Sequence, residues 1–379
     1  MAAVLFCQGR ASGKPAEPVR PPSRADVVGM LHDGRFEELD RRFSKIQAGY
    51  KSGEITDVEL RAAFQAFYST EAALEPRYGA WVAKYPKSYV AHLAFGIYSK
   101  KLGEASRGGD TIDKTSESQL AGMEAAFKTA MREFQVSASL DSRPLLSYVY
   151  EMSIANYLGD DRSMRENFAL ALKADPGNVI ARQRFMVHLE PIWGGSDEQM
   201  ADFLDASRKS GLSPARLQTI EAVVIGYEAQ QDAAAGNLES AESKYRKAIA
   251  FGLDGCRACL GEVLTKEQKY DEAIEVLSRA LDADPDDVHA RFDRAFCYLN
   301  SKKFQPAFAD FLIAAEAGDA ISQHAIGSLY MTGLPDGIPA NQQEGIRWLR
   351  KAAAQGDARA IASLKIAVSQ YPAAAAASN

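Results

Sequence analysis

Two cysteines three residues apart, Cys256-Arg-Ala-Cys259, form the pair in this sequence whose type and spacing bear most directly on chemistry. They fall in the first turn of a predicted helix, where backbone amides favour a thiolate, so both thiols are expected to titrate low. The pattern admits a redox switch or, in an oxidising compartment, a local disulfide between Cys256 and Cys259. Catalytic thiol exchange expects a strand–helix–strand setting that this sequence lacks. A zinc site needs four ligands, and only His289 and Cys297 could complete one, so no metal is assigned. Trp193-Gly-Gly-Ser196 would expose amides at a helix start, as a phosphate or ligand loop does. The preferred reading is structural: the glycines turn the chain, Ser196 caps the next helix with Gln199 as partner, and Trp193 packs over the junction. Arg107-Gly-Gly-Asp110 sits on a long loop, which leaves more room for function. His32, His92, His188, His289 and His324 are scattered, and no nucleophile elbow, phosphate loop or metalloprotease motif occurs. No catalytic residue and no cofactor is assigned, and an enzyme is not expected.

The chain that carries these residues is 379 residues long, 46% hydrophobic and 25% charged, with a formal net charge of −6. That profile excludes a wholly disordered or collagen-like chain. Forty-four basic and fifty acidic residues, well mixed, give no footprint for nucleic acid. No apolar run of eighteen residues is present, so no transmembrane segment is expected. The start, Met-Ala-Ala-Val-Leu-Phe-Cys, reads either as the tail of an export signal or as a frayed apolar end. A lipid anchor at Cys7 is disfavoured by the bulk of Phe6. Periplasm or cell envelope is preferred over cytoplasm. Residues 1–24 are expected to be a disordered N-terminus with a Pro-rich linker.

Internal similarity sets the architecture. Four segments share a spacing of small, bulky and alanine positions: Met164, Phe168 and Ala171; Leu238, Ala241, Tyr245 and Ala248; Tyr270, Ala273, Leu277 and Ala280; and Phe304, Ala307, Phe311 and Ala314. Such spacing makes one helix face that is small where another helix crosses and bulky beside the crossing. From about Leu217 to Ala317 the sequence resembles the tetratricopeptide (TPR) family, most closely at Leu260-Gly261, Tyr270, Ala273, Ala280 and Pro285. Asp161 stands in place of the aromatic in the earliest copy, a degenerate one. Ala325-Ile-Gly327-x-x-Tyr330, Gly333 and Trp348-x-x-Lys351-Ala-Ala-x-x-Gly356 resemble a Sel-1-like repeat. Trp81, Tyr85-Pro86, the Arg107 loop, Ala174-Asp-Pro176 and Leu189-x-Pro-x-Trp193-Gly-Gly-Ser196 resemble an uncharacterised bacterial helical domain, with Ile192 where that family places a basic residue.

The expected fold is all-α, a right-handed α-solenoid of antiparallel helix hairpins, with no strands. Residues 25–205 form an irregular helical domain that includes the degenerate hairpin, 206–317 the TPR-like repeats, 318–371 a Sel-1-like repeat with a capping helix, and 372–379 a loose tail. Thr56-x-x-Glu59 and Ser116-x-x-Gln119 read as capping boxes, and 103–114 as a loop between two long helices. The TPR resemblance implies a concave groove lined by Gly255, Ala258, Glu262 and Thr265, then by His289, Phe292, Phe296 and Leu299 with Asn300 next. The chaperone-tail clamp of lysine and asparagine is absent. Rings and one carboxylate suit a partner peptide with apolar anchors, although Phe292 and Phe296 equally fill a gap between helices. The expected function is a protein-interaction scaffold. The alternatives are an enzyme or small-ligand protein with its site near Arg107 and Trp193, and a structural subunit of an envelope assembly.

Overall fold

The structure, a computed structural model, describes residues 21–108, 115–335 and 337–377. The chain divides into two compact units at the Arg143–Pro144 bond.

The first unit holds α1 (Arg24–His32), α2 (Phe36–Ser52), α3 (Asp57–Phe64), α4 (Glu75–Lys84), α5 (Tyr89–Arg107) and α6 (Glu117–Leu140). Reciprocal capping boxes start α3 at Thr56/Glu59 and α6 at Ser116/Gln119, and a further one starts α1 at Ser23/Asp26. The centre is aromatic: Phe43, Phe64 and Phe67 meet with ring centroids 4.4–5.8 Å apart, and Tyr78 stacks on Tyr98 at 4.6 Å.

The helix α5 corrects one expectation, because it runs through Gly103 and ends at Arg107 rather than breaking before the loop. Gly96 and Gly103 are not breakers here. A Cβ on either would lie 2.4–2.5 Å from the ring of Phe134 or Phe127, so their bare backbone admits the two α6 rings. Across the same interface His92 Nδ1 and Glu133 Oε2 are 2.6 Å apart, both residues buried, while Arg132 Nη2 donates to Glu133 Oε1 at 2.9 Å. Burial pushes the Glu133 carboxyl up, but hydrogen bonds from His92 and Arg132 outweigh it and hold it below the usual range.

The second unit is an all-α solenoid of helix hairpins: α7 (Leu145–Leu158) with α8 (Asp161–Ala174), then α9 (Ile180–His188) and α10 (Asp197–Lys209), which meet through the rings of Phe185 and Phe203, α11 (Pro214–Ala234) with α12 (Leu238–Ala250), and α13 (Cys256–Lys266) with α14 (Tyr270–Ala283). It continues with α15 (Val288–Asn300) and α16 (Phe304–Glu316), α17 (Ala320–Thr332) and α18 (Gln342–Ala354), and α19 (Ala358–Gln370) with the short α20 (Pro372–Ala377). Each first helix from α7 to α13 also touches the first helix of the next hairpin. The degenerate hairpin, α7 with α8, therefore belongs to this unit.

Among the described residues the non-helical pairing is one isolated bridge, Leu334 to Ile338. The segment after Pro372, read from sequence as loose, is helical, with Ala375 O and Ala377 O accepting from Arg350 Nη2 and Gln343 Nε2.

The repeated face buries as its spacing requires. Ala241, Ala248, Ala273, Leu277, Ala307 and Ala314 are all at 0% exposure. Gly261 of α13 lets Leu277 of α14 seat against backbone, where a Cβ would stand 2.4 Å from it. Arg294 holds Asp310 bidentately, at 2.7 and 2.9 Å, and so ties α15 to α16. The turns between first and second helices need a left-handed residue. Gly236 supplies it after α11, but Gln268 and Lys302 adopt φ of 61° and 60° at the matching places after α13 and α15.

Candidate functional site

The period that aligns the second helices also aligns the first ones. Tyr227 of α11, Cys259 of α13 and Asp293 of α15 stand at equivalent positions, 32 and 34 residues apart. Together they mark one face of the first helices, on which Tyr227 and Asp293 are half-buried and Cys259 is exposed.

Asp293 is half-buried and makes no ion pair or hydrogen bond among the described residues. Burial pushes its carboxyl up to about 6, aided by Glu262 and Asp287 and opposed by His289 and Lys266. Glu262 is exposed and pairs with Lys266 at 2.7 Å. His289 is exposed on the first turn of α15, where Asp287 caps the helix.

The two rings assigned together from sequence sit differently. Phe292 is partly buried, edge-on to Phe311 at 5.5 Å, in a cluster with Ala295, Ile326 and Trp348. Phe296, one turn on, is 39% exposed, with its ring 6.5 Å from that of Tyr270. Asn300 turns its side chain back, and its Nδ2 donates to Phe296 O at 2.8 Å.

Toward the N-terminal end of this face, Glu190 follows α9, near Tyr227 and Cys256. It too is half-buried, and burial raises its carboxyl to about 7, with Arg184 opposing. Sequence reading missed Glu190, Tyr227 and Asp293. The 32- and 34-residue spacing carried the signal for the last two, had the first helices been aligned as the second ones were.

The cysteines are a correction. Cys256 and Cys259 are free thiols, and neither is held low by the helix start. Burial pushes Cys256 up to about 12, with Cys259 and Glu190 adding to it. Partial enclosure raises the Cys259 thiol too, although the Tyr245 hydroxyl pulls the other way. Desolvation of a thiolate outweighs the few amides of one helix start. Cys256 packs close to the bare Cα of Gly226, where a Cβ would be 3.0 Å from its sulfur.

The alternative site divides. Arg107, at the end of α5, donates from Nη1 to Gly108 O at 3.4 Å; Asp110 lies outside the described residues. Trp193 belongs to the other unit, where it meets Tyr157 edge-on at 6.1 Å. Beside it Gly194 turns the chain at φ 93°, and a Cβ on Gly195 would stand 2.0 Å from Leu189 O. Ser196 accepts from Gln199 N at 3.2 Å. In the first unit a surface cleft of about 440 Å³ is lined by Ser44, Gln47, Lys51, Tyr89 and Asp141. Its cation and anion, Lys51 and Asp141, pair with each other at 3.2 Å. Among the described residues no group of three His, Cys, Asp or Glu could hold a metal ion, and no helix is long and apolar enough to cross a membrane.

Family models match three stretches of the chain. Residues 320–357 match the Sel1 repeat, 264–307 a tetratricopeptide repeat, and 23–169 a domain of unknown function (DUF4034). Among solved structures, the chain is similar to a TPR protein with an unusual peptide-binding site (21% identity, covering 52% of this chain and 97% of that one, TM-score 0.36). It is also similar to a protective antigen of uropathogenic Escherichia coli that displays an SLR fold (20% identity, 92% and 76% covered, TM-score 0.45). A third is a Sel1 repeat protein from Oxalobacter formigenes (19% identity, 56% and 86% covered, TM-score 0.38). No curated protein sequence matches the chain. The chain is a tetratricopeptide and Sel1-like repeat protein with an N-terminal domain of unknown function.

Proposed function

We propose that this chain is a non-catalytic protein-interaction scaffold, and that the open face of α11, α13 and α15 holds an extended or helical segment of a partner protein. Phe296 carries the reading. An aromatic ring left 39% exposed on an otherwise polar first-helix face is an anchor point for an apolar side chain. Covering such a ring contributes roughly 1–2 kcal/mol, enough to fix register but not to bind alone. Phe292 serves the interior by its contact with Phe311, so the two rings of α15 divide the tasks of holding the hairpin and meeting a partner. Panning the full chain against a phage-displayed library of random dodecapeptides tests this. Selected peptides are expected to lose about tenfold in affinity on Phe296→Ala with an unchanged melting temperature. A library that yields no binder, or binders indifferent to Phe296→Ala, removes this face as the partner site.

A further inference from the structure

Glu190 and Asp293 are the features of the second unit that its packing does not explain. Both carboxylates are half-buried. Neither has an ion-pair or hydrogen-bond partner among the described residues, in a chain where most helix-surface acids do. Burying a carboxylate without a partner costs stability, and the cost is relieved either by protonation or by the arrival of a cation. The other charges near them do not supply it. Asp293 faces Glu262 and Asp287 as well as Lys266 and His289. Lys266 is engaged by Glu262 at 2.7 Å, and Asp287 is spent capping α15. Around Glu190 stand Tyr227, the Cys256 thiol and Asp197, which accepts from the Tyr227 hydroxyl, with Arg184 as the basic neighbour. Acids thus outnumber bases along the face, and Asp293 lies one turn from the exposed ring of Phe296 on the same side of α15.

Resting on the scaffold reading above, we infer that the partner segment is basic: a lysine or arginine of that segment pairs with Asp293 while a neighbouring apolar side chain covers Phe296, and a second cation further along reaches Glu190. The surface complements such a segment in charge and in the spacing of anchor and acid on one helix turn. It disfavours an acidic segment, whose carboxylates would meet Glu262, Asp287 and Asp293.

Protonation supplies an independent signature. The two carboxyls stand at about 6 and about 7 in the unoccupied protein. A cation binds only the ionised form, so binding draws these groups to the carboxylate state and expels protons. Affinity therefore rises between pH 5.5 and pH 8 and flattens above that.

The test uses the dodecapeptides selected on the full chain at pH 7.5. Lysine and arginine are expected to be enriched next to an apolar residue, with binding at pH 8 at least fivefold tighter than at pH 5.5. Asp293→Asn is expected to weaken binding about tenfold and to remove the lower-pH part of the response, leaving the part that follows Glu190, while leaving the melting temperature unchanged or higher, since it removes an uncompensated buried charge. Binders that need Phe296 but are neutral or acidic, or that ignore Asp293→Asn, overturn the basic-segment inference and leave the scaffold reading standing. An Asp293→Asn chain that melts lower shows the carboxylate to be structural and overturns it as well. Absence of any binder overturns both.

Discussion

Replacing Gly195 by alanine separates a structural turn from a ligand loop. An ideal Cβ there would lie 2.0 Å from Leu189 O, 2.3 Å from its carbonyl carbon and 2.6 Å from its Cα. All three are backbone atoms, so no side chain can swing aside, and ordinary contact requires the chain to move by about 1.4 Å. That shift competes with the turn's own hydrogen bonds, Trp193 N to Glu190 O at 2.9 Å and Gly195 N to the same oxygen at 3.2 Å. Losing one or two of them costs about 1 kcal/mol each, and the residual overlap about 1–2 more, for a total of about 2–4 kcal/mol. Gly194 provides the internal comparison. Its φ of 93° strains alanine, but its Cβ would meet nothing within 4 Å, so that substitution costs about 1–2 kcal/mol. Hairpin arrays open in parts, which makes a local readout the right one. Hydrogen-exchange mass spectrometry of peptides spanning residues 186–200 should show opening about 30- to 1000-fold more frequent in Gly195→Ala, and a smaller change in Gly194→Ala. If Gly195→Ala exchanges like the parent chain, or Gly194→Ala is the worse of the two, the reasoning from backbone contact is refuted.

Three further outcomes follow from geometry already given. Gln268→Gly and Lys302→Gly should each raise stability by about 0.5–1 kcal/mol, because glycine adopts the left-handed turn without strain; a lower denaturation midpoint would contradict this. In reduced protein Cys256, at about 12 against an ordinary 9, carries about a thousandfold less thiolate at pH 8 than a free thiol; rapid alkylation of its peptide at that pH, read by mass spectrometry, would show the burial to be wrong. Glu133 is held below its unfolded value, so its contribution is present above the ordinary carboxylate range and is lost as pH falls through its folded value. Glu133→Gln should destabilise the protein at pH 7, and the loss should shrink as pH falls through the folded carboxyl's lowered value; an equal loss at neutral and strongly acidic pH would count against the His92 pairing.

Local spacing made much of the second unit legible. Tyr270, Ala273, Leu277 and Ala280 define one face because a helix brings every third and fourth residue together; Ala273 and Leu277 at its centre are at 0% exposure, with Tyr270 and Ala280 partly buried beside them. What spacing cannot carry is the identity of the neighbour across the gap. Phe292 and Phe296 both occupy open-face positions of one helix, and only Phe311, on the next helix, draws the first ring inward. Gly103 looked like a helix end because its partner, the ring of Phe127, is twenty-four residues away in sequence. The cysteines were judged by the helix start they sit on, whereas burial against neighbouring elements, Gly226 of α11 beside Cys256 among them, decides their titration. Glu190 and Asp293 escaped notice for the same reason, since a single acid is unremarkable in sequence until the packing around it withholds a counter-charge.

The two bare notches of α5 have a mechanical result. Phe127 and Phe134 of α6 are pegs seven residues apart, and Gly103 and Gly96 are sockets at the same interval on a helix running the other way. Sliding α6 by a single turn would drive both rings onto neighbouring side chains at once, so the pair has one seating along its length. A pull on either helix is then transmitted to the other as a push or a pull of the whole rod, with little slippage to absorb it.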